Sequence, residues 1–69
     1  MKHEAPQLDR AEIEYLIEQK IIGRNAERNR RILYRRLIDG ICYEKLAEEF
    51  ALTDRRVKDI CYKEIQKLF

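Results

Sequence analysis

Tryptophan is absent from this chain; proline, histidine and methionine occur once each, and glycine and cysteine twice. Each scarcity excludes something. Few glycines and prolines mean few breaks, and no segment shows strand-like alternation of useful length, so long helices are left as the expected element. Two cysteines, Cys42 and Cys61, form neither a disulfide framework nor the clustered ligands of a zinc site. They are read as ordinary buried or half-buried thiols. The one histidine, His3, sits near the N-terminus. No apolar run approaches the ~20 residues of a membrane span, and no long apolar stretch marks a secretory signal. A protein of the reducing cytoplasm is expected, with no metal, no cofactor and no membrane partner. An enzyme is not expected, because no nucleophile stands beside a base and no glycine-rich loop could cradle a phosphate.

What is present is apolar and charged in nearly equal measure: 45% hydrophobic and 41% charged residues. That apolar fraction is too high for a disordered chain. At 69 residues the chain is one domain at most, with a small core. The net charge is only +2, but it is unevenly spread. Arg24, Arg28, Arg30, Arg31, Arg35 and Arg36 cluster against the single acid Glu27. Asp39, Glu44, Glu48 and Glu49 then make an acidic block, and Arg55, Arg56, Lys58, Lys63 and Lys67 restore positive charge towards the C-terminus. Two basic segments separated by an acidic one are a footprint rather than a diffuse excess.

The spacing predicts an all-α domain of four helices over residues 9–69, after a tail of residues 1–8. Asp9 with Glu12 reads as a capping box, and Ile13, Leu16, Ile17 and Ile21 follow at helical spacing until Gly23 closes the helix. The first helix is thus expected over Asp9–Ile22. Asn25 is expected to cap a second helix, Ala26–Asp39, whose apolar side is Leu33, Tyr34, Leu37 and Ile38, with Ile32 flanking. Gly40 ends it. A short third helix, Tyr43–Phe50, turns Leu46, Ala47 and Phe50 inward. Thr53 caps a fourth helix from Asp54 to about Leu68, with Val57, Ile60, Cys61, Ile65 and Leu68 as its stripe.

The informative feature is the link Ala51-Leu52-Thr53, too short and too apolar for a flexible loop. Two helices held at a steep angle over so short a turn need a small residue at their crossing and apolar residues around it. Ala47 is the small residue. Leu46, Phe50 and Leu52 surround it, and Val57 and Ile60 turn back from the second helix. These requirements coincide in a helix-turn-helix over residues 43–63. Its second helix would then present Arg55, Lys58, Asp59 and Tyr62 to base edges in a major groove. Arg and Lys suit guanine O6 and N7, and a carboxylate suits cytosine N4 or the orienting of a neighbouring cation. Arg28, Arg31 and Arg35 fall on one side of the second helix and would lie along the phosphates, with Thr53, Arg56 and Lys63 adding contacts from the last helix.

The stretch from Arg31 to Phe69, RILYRRLIDGICYEKLAEEFALTDRRVKDICYKEIQKLF, resembles region 4 of bacterial sigma factors and related phage or mobile-element regulators. Tyr43-Glu44-Lys45-Leu46-Ala47 and the run from Thr53 to Ile60 stand where that family has its Y-E-x-[IL]-A and T-x-x-x-V-x-x-I patterns. The resemblance implies duplex DNA recognition through the last helix and contact with RNA polymerase. It departs at Cys42, where a serine or threonine is common, at Ala51, where glycine is common, and at Asp54, Arg55 and Asp59, which do not form the primary-sigma set. Promoter specificity therefore does not carry over, and without a region 2 a stand-alone transcriptional regulator is expected. The alternative is a protein-interaction module that binds RNA polymerase or a partner factor through the same fold. The first helix lies outside the resemblance. It is expected to cover the core, and a homodimer contact through Tyr15, Ile22 or a wider apolar side is its second expected role.

Overall fold

The structure, a computed structural model, describes residues 9–68; the tail expected over residues 1–8, with His3, and the terminal Phe69 lie outside them. Among the described residues every regular element is helical, and there are no strands. Helix α1 spans Arg10–Lys20, α2 Ala26–Leu33, α3 Tyr43–Phe50 and α4 Asp54–Leu68. The capping box forms as expected: Glu12 N donates to Asp9 Oδ1 at 2.9 Å and Asp9 N donates to Glu12 Oε1 at 3.1 Å. It satisfies two of the amide groups that a helix start otherwise leaves unpaired.

The C-terminus of α1 departs from the expectation. The helix stops at Lys20, and Ile21 turns extended, with φ −91° and ψ 103°. This drives Ile21 fully into the core and leaves Ile22 exposed. Gly23, with a φ of +111°, belongs to the following turn and does not close α1. The closing group comes from far along the chain. Arg30 Nε donates to Ile21 O at 2.9 Å, and its Nη2 donates to Glu18 O at 3.3 Å. A cation bound to the last carbonyls also opposes the negative end of the helix dipole. Asn25 occupies the N-cap position of α2, yet its side chain makes no capping bond.

The second expected helix is not one continuous α-helix. After Leu33 it widens into a π-helical segment, Tyr34–Ile38, closed by Asp39 N donating to Tyr34 O at 3.3 Å and followed by Ile41 N donating to Arg35 O at 3.0 Å. The wider turn shifts the helical register. Ile32 and Leu33, both with zero exposure, can then face the core while the segment directs Arg35 and Arg36 to separate acceptors. Ile32 is therefore a core residue rather than a flanking one.

Ten residues drawn from all four helices and the turn after α1 form the core: Ile17, Ile21, Ile32, Leu33, Leu46, Ala47, Val57, Ile60, Cys61 and Leu68. Helix α4 packs against all three others, so the small core is built around it. Each fully buried Ile, Leu or Val contributes about 1.5–3 kcal/mol relative to exposure. Of the two thiols, Cys61 is buried and its pKa is pushed up by desolvation. Cys42 is exposed, contrary to expectation, because it precedes α3 in extended conformation at the rim of the fold.

Candidate nucleic-acid interface

The site is built on the joint between α3 and α4. Helix α3 begins at Cys42, whose side chain makes no capping bond. It ends where Ala51 takes the left-handed conformation, φ 57° and ψ 44°. Leu52 N then donates to Ala47 O at 2.8 Å and Ala51 N to Glu48 O at 3.4 Å, satisfying carbonyls at the helix end. Leu52 is half-buried and fastens the turn to the core. Thr53 starts α4 as expected: its Oγ1 accepts from Arg56 N at 3.1 Å. Ala47 is 4% exposed, and Val57 and Ile60 are 0% and 5% exposed. These low values fix which side of α4 faces in, and hence which side faces out.

The outward side carries Arg55, Lys58, Asp59 and Tyr62, all exposed, so the structure brings the four expected base-reading residues to one face. Thr53, Arg55, Arg56 and Asp59 line an open cleft of about 330 Å³ at the start of α4. Asp59 lies 3.9 Å from Lys63 Nζ, a loose pairing. Lys58 leans towards α3, with Nζ 5.8 Å from the centre of the Tyr43 ring. Arg36, from the π segment, sits over the same ring at 4.3 Å and donates from Nη1 to Ile41 O at 3.1 Å. One aromatic ring thus meets cations from two elements by charge–quadrupole attraction. No periodic spacing links Arg36, Tyr43 and Lys58, so this grouping was not legible before the fold.

No family model, curated protein or solved structure matches this chain.

The arginine cluster divides into two groups. Arg30 is committed to the end of α1, as described above. Arg35 forms a fork on Glu49, with Nε 3.0 Å from Oε2 and Nη2 2.9 Å from Oε1, and its Nη1 reaches Asp39 Oδ2 at 2.9 Å. These two acids raise its pKa further, chiefly through the hydrogen bonds from Glu49 and Asp39. Arg31 is exposed, 3.6 Å from Glu27, and shares an open groove with Tyr34, Arg35, Glu49 and Phe50. Arg28 lies apart from that groove: its Nε donates to Asn29 Oδ1 at 3.2 Å. The expected phosphate row Arg28–Arg31–Arg35 is therefore not one uniform ridge. Arg35 is neutralised by acids from α3 and from the turn after the π segment, whereas among the described residues Arg28 bonds the Asn29 amide.

A buried polar pair was missed altogether. Asn29 Nδ2 donates to Glu64 Oε2 at 2.7 Å, and the two residues are 9% and 8% exposed. A glutamate within the apolar stripe of α4 gives no signal of burial when its partner lies on another helix.

Proposed function

We propose that this chain binds duplex DNA sequence-specifically, as a small helix-turn-helix transcriptional regulator of the sigma region 4 type, with α4 laid in the major groove. The observation that carries this reading is the face of α4. Val57 and Ile60 are buried on one side, and Arg55, Lys58, Asp59 and Tyr62 are exposed together on the other, beyond a turn held by Ala51, Leu52 and Thr53. Arg55 and Lys58 supply the donors that suit guanine O6 and N7, and Asp59 the acceptor that suits cytosine N4. Thr53, Arg56 and Lys63 flank this face, and with Arg28 and Arg31 they supply phosphate contacts. Arg35 is assigned instead to holding the C-terminal end of α3 through Glu49. Catalysis forms no part of this reading.

Fluorescence anisotropy of the chain on a labelled random duplex, titrated at several salt concentrations, tests the proposal. Each phosphate neutralised contributes about −0.9 to the slope of log K against log salt, so affinity is expected to fall steeply as salt rises. Absence of binding at low salt would overturn the reading.

The exposure of Tyr15 and Ile22, 64% and 68%, favours a second reading, a protein contact made by α1 and the turn after it. A second copy or RNA polymerase would be the partner. Sedimentation of a clean monomer at high micromolar concentration, with no capture of polymerase, would dismiss it.

A further inference from the structure

Three elements meet at the ring of Tyr43. Tyr43 opens α3 and is half-buried. Its side chain packs against the core, so the fold holds the ring in place. Arg36, from the π segment, is the nearer cation, 4.3 Å from the ring centre. It is pinned there by its bond to Ile41 O at 3.1 Å. Lys58, from α4, is exposed, with Nζ 5.8 Å from the same centre, inside the ~6 Å reach of cation–π attraction. Two of the three groups are thus fixed by packing or hydrogen bonding. The third, Lys58, belongs to the outward side of α4, together with Arg55, Asp59 and Tyr62.

We infer that Tyr43 is a positioning residue for Lys58, keeping its ammonium on the α3 side of the base-reading face before DNA arrives; this rests on the function proposed above. Lysine carries its charge on a flexible four-carbon stem, and ordering such a side chain at an interface costs binding free energy. A fixed ring beside the ammonium narrows its range in the free protein and so lowers that cost. The chemistry of the ring suits a residue that must still donate. A carboxylate beside a lysine, as Asp59 is to Lys63 and Glu64 to Lys67, offsets its charge and competes for its N–H groups. The face of a ring attracts the ammonium through its quadrupole and brings no opposing charge. The three N–H donors of Lys58 can therefore still turn to guanine O6 and N7.

Competition binding tests this, read as the preference for a duplex selected from a random library over a random duplex. Tyr43→Phe keeps the ring and should keep the preference. Tyr43→Leu keeps apolar bulk without the quadrupole and should lower the preference by about two- to fivefold, the size of an exposed cation–π contact. In a Lys58→Ala background the same change should lower it no further. A purely structural role for Tyr43 would reduce the melting temperature and the active fraction but leave the preference of the folded protein unchanged, and that result would overturn the inference. An equal loss with and without Lys58 would overturn it too. If Tyr43→Leu folds poorly, proton NMR of the unmodified chain without DNA gives a second check. The Lys58 ε-protons should be shifted by the ring current relative to those of Lys63, and Tyr43→Phe should keep the shift; ε-protons alike in the two lysines would overturn the inference. Failure of the unmodified chain to bind any duplex, with that shift present, would remove the proposed function itself and this use of the contact with it, an outcome distinct from the others.

Discussion

At the scale of single residues, Tyr34 shows how a half-buried polar group couples the fold to pH. Its hydroxyl donates to Glu18 Oε2 at 2.6 Å, joining the π segment to α1. Desolvation first, and then this bond and the charge of Glu18, push its pKa from 10 up to about 12. All three causes favour the neutral phenol over the phenolate. A group whose pKa is raised on folding adds stability in full below its unfolded value and loses it as pH climbs through its folded value. The contribution of Tyr34 should therefore be constant below pH 10 and decline between pH 10 and 12. Urea melts of the chain and of Tyr34→Phe, compared across that interval, check this. The gap between them should narrow as pH rises; a gap that stays constant to pH 12 would mean that the hydroxyl bond contributes nothing specific to folding.

The element scale separates what is written locally from what is not. The start of α1, both ends of α3 and the start of α4 were legible, because each is set by a few neighbouring residues: Asp9 with Glu12, Phe50 before the turn, Thr53 before Asp54. The π segment was not legible. Leu33, Tyr34, Leu37 and Ile38 suit a regular helix equally well, and acceptors for Arg35 and Arg36 lie on α3 and in the turn before it, outside the segment. The early end of α1 was hidden for a similar reason, since the group that closes it, Arg30, belongs to α2. Ala51 marks a cost in an element that formed where expected. It is the one non-glycine residue with positive φ among those described, and the left-handed conformation costs an L-residue roughly 1–2 kcal/mol. Glycine avoids that penalty but gains about 0.5–1 kcal/mol of unfolded-state entropy. Ala51→Gly should therefore stabilise the chain by up to about 1 kcal/mol, which in a domain of this size raises Tm by roughly 4–8 °C per kcal/mol. Circular dichroism melts measure it, and an unchanged or lower Tm would show that the turn holds Ala51 without strain.

Across the whole molecule, the balance between structural and available charge is what the sequence concealed. The helical pattern named most of the core, because burial follows periodicity, but pairings between residues distant in sequence leave no such trace. Arg30 with Ile21, Arg35 with Glu49 and Asn29 with Glu64 are of this kind, and they change the meaning of the arginine cluster from a uniform phosphate ridge to a partly structural one. Positive charge on the exposed sides of α4 is then Arg55, Arg56 and Lys58 near its start and Lys63 further along. This concentration leads to a division of labour that can be measured. If Arg55 and Lys58 read bases, Arg55→Ala and Lys58→Ala should each cost roughly 1–3 kcal/mol on a duplex selected from a random library and much less on random sequence. Both residues are exposed, so neither change threatens the core. Lys58 also shares the Tyr43 ring with Arg36, so its removal should leave Arg36 in place and affect discrimination more than salt dependence. Competition binding against selected and random duplexes separates the two roles. Equal losses on both, with a flatter salt slope, would make Arg55 and Lys58 phosphate contacts and move base reading to Asp59 and Tyr62.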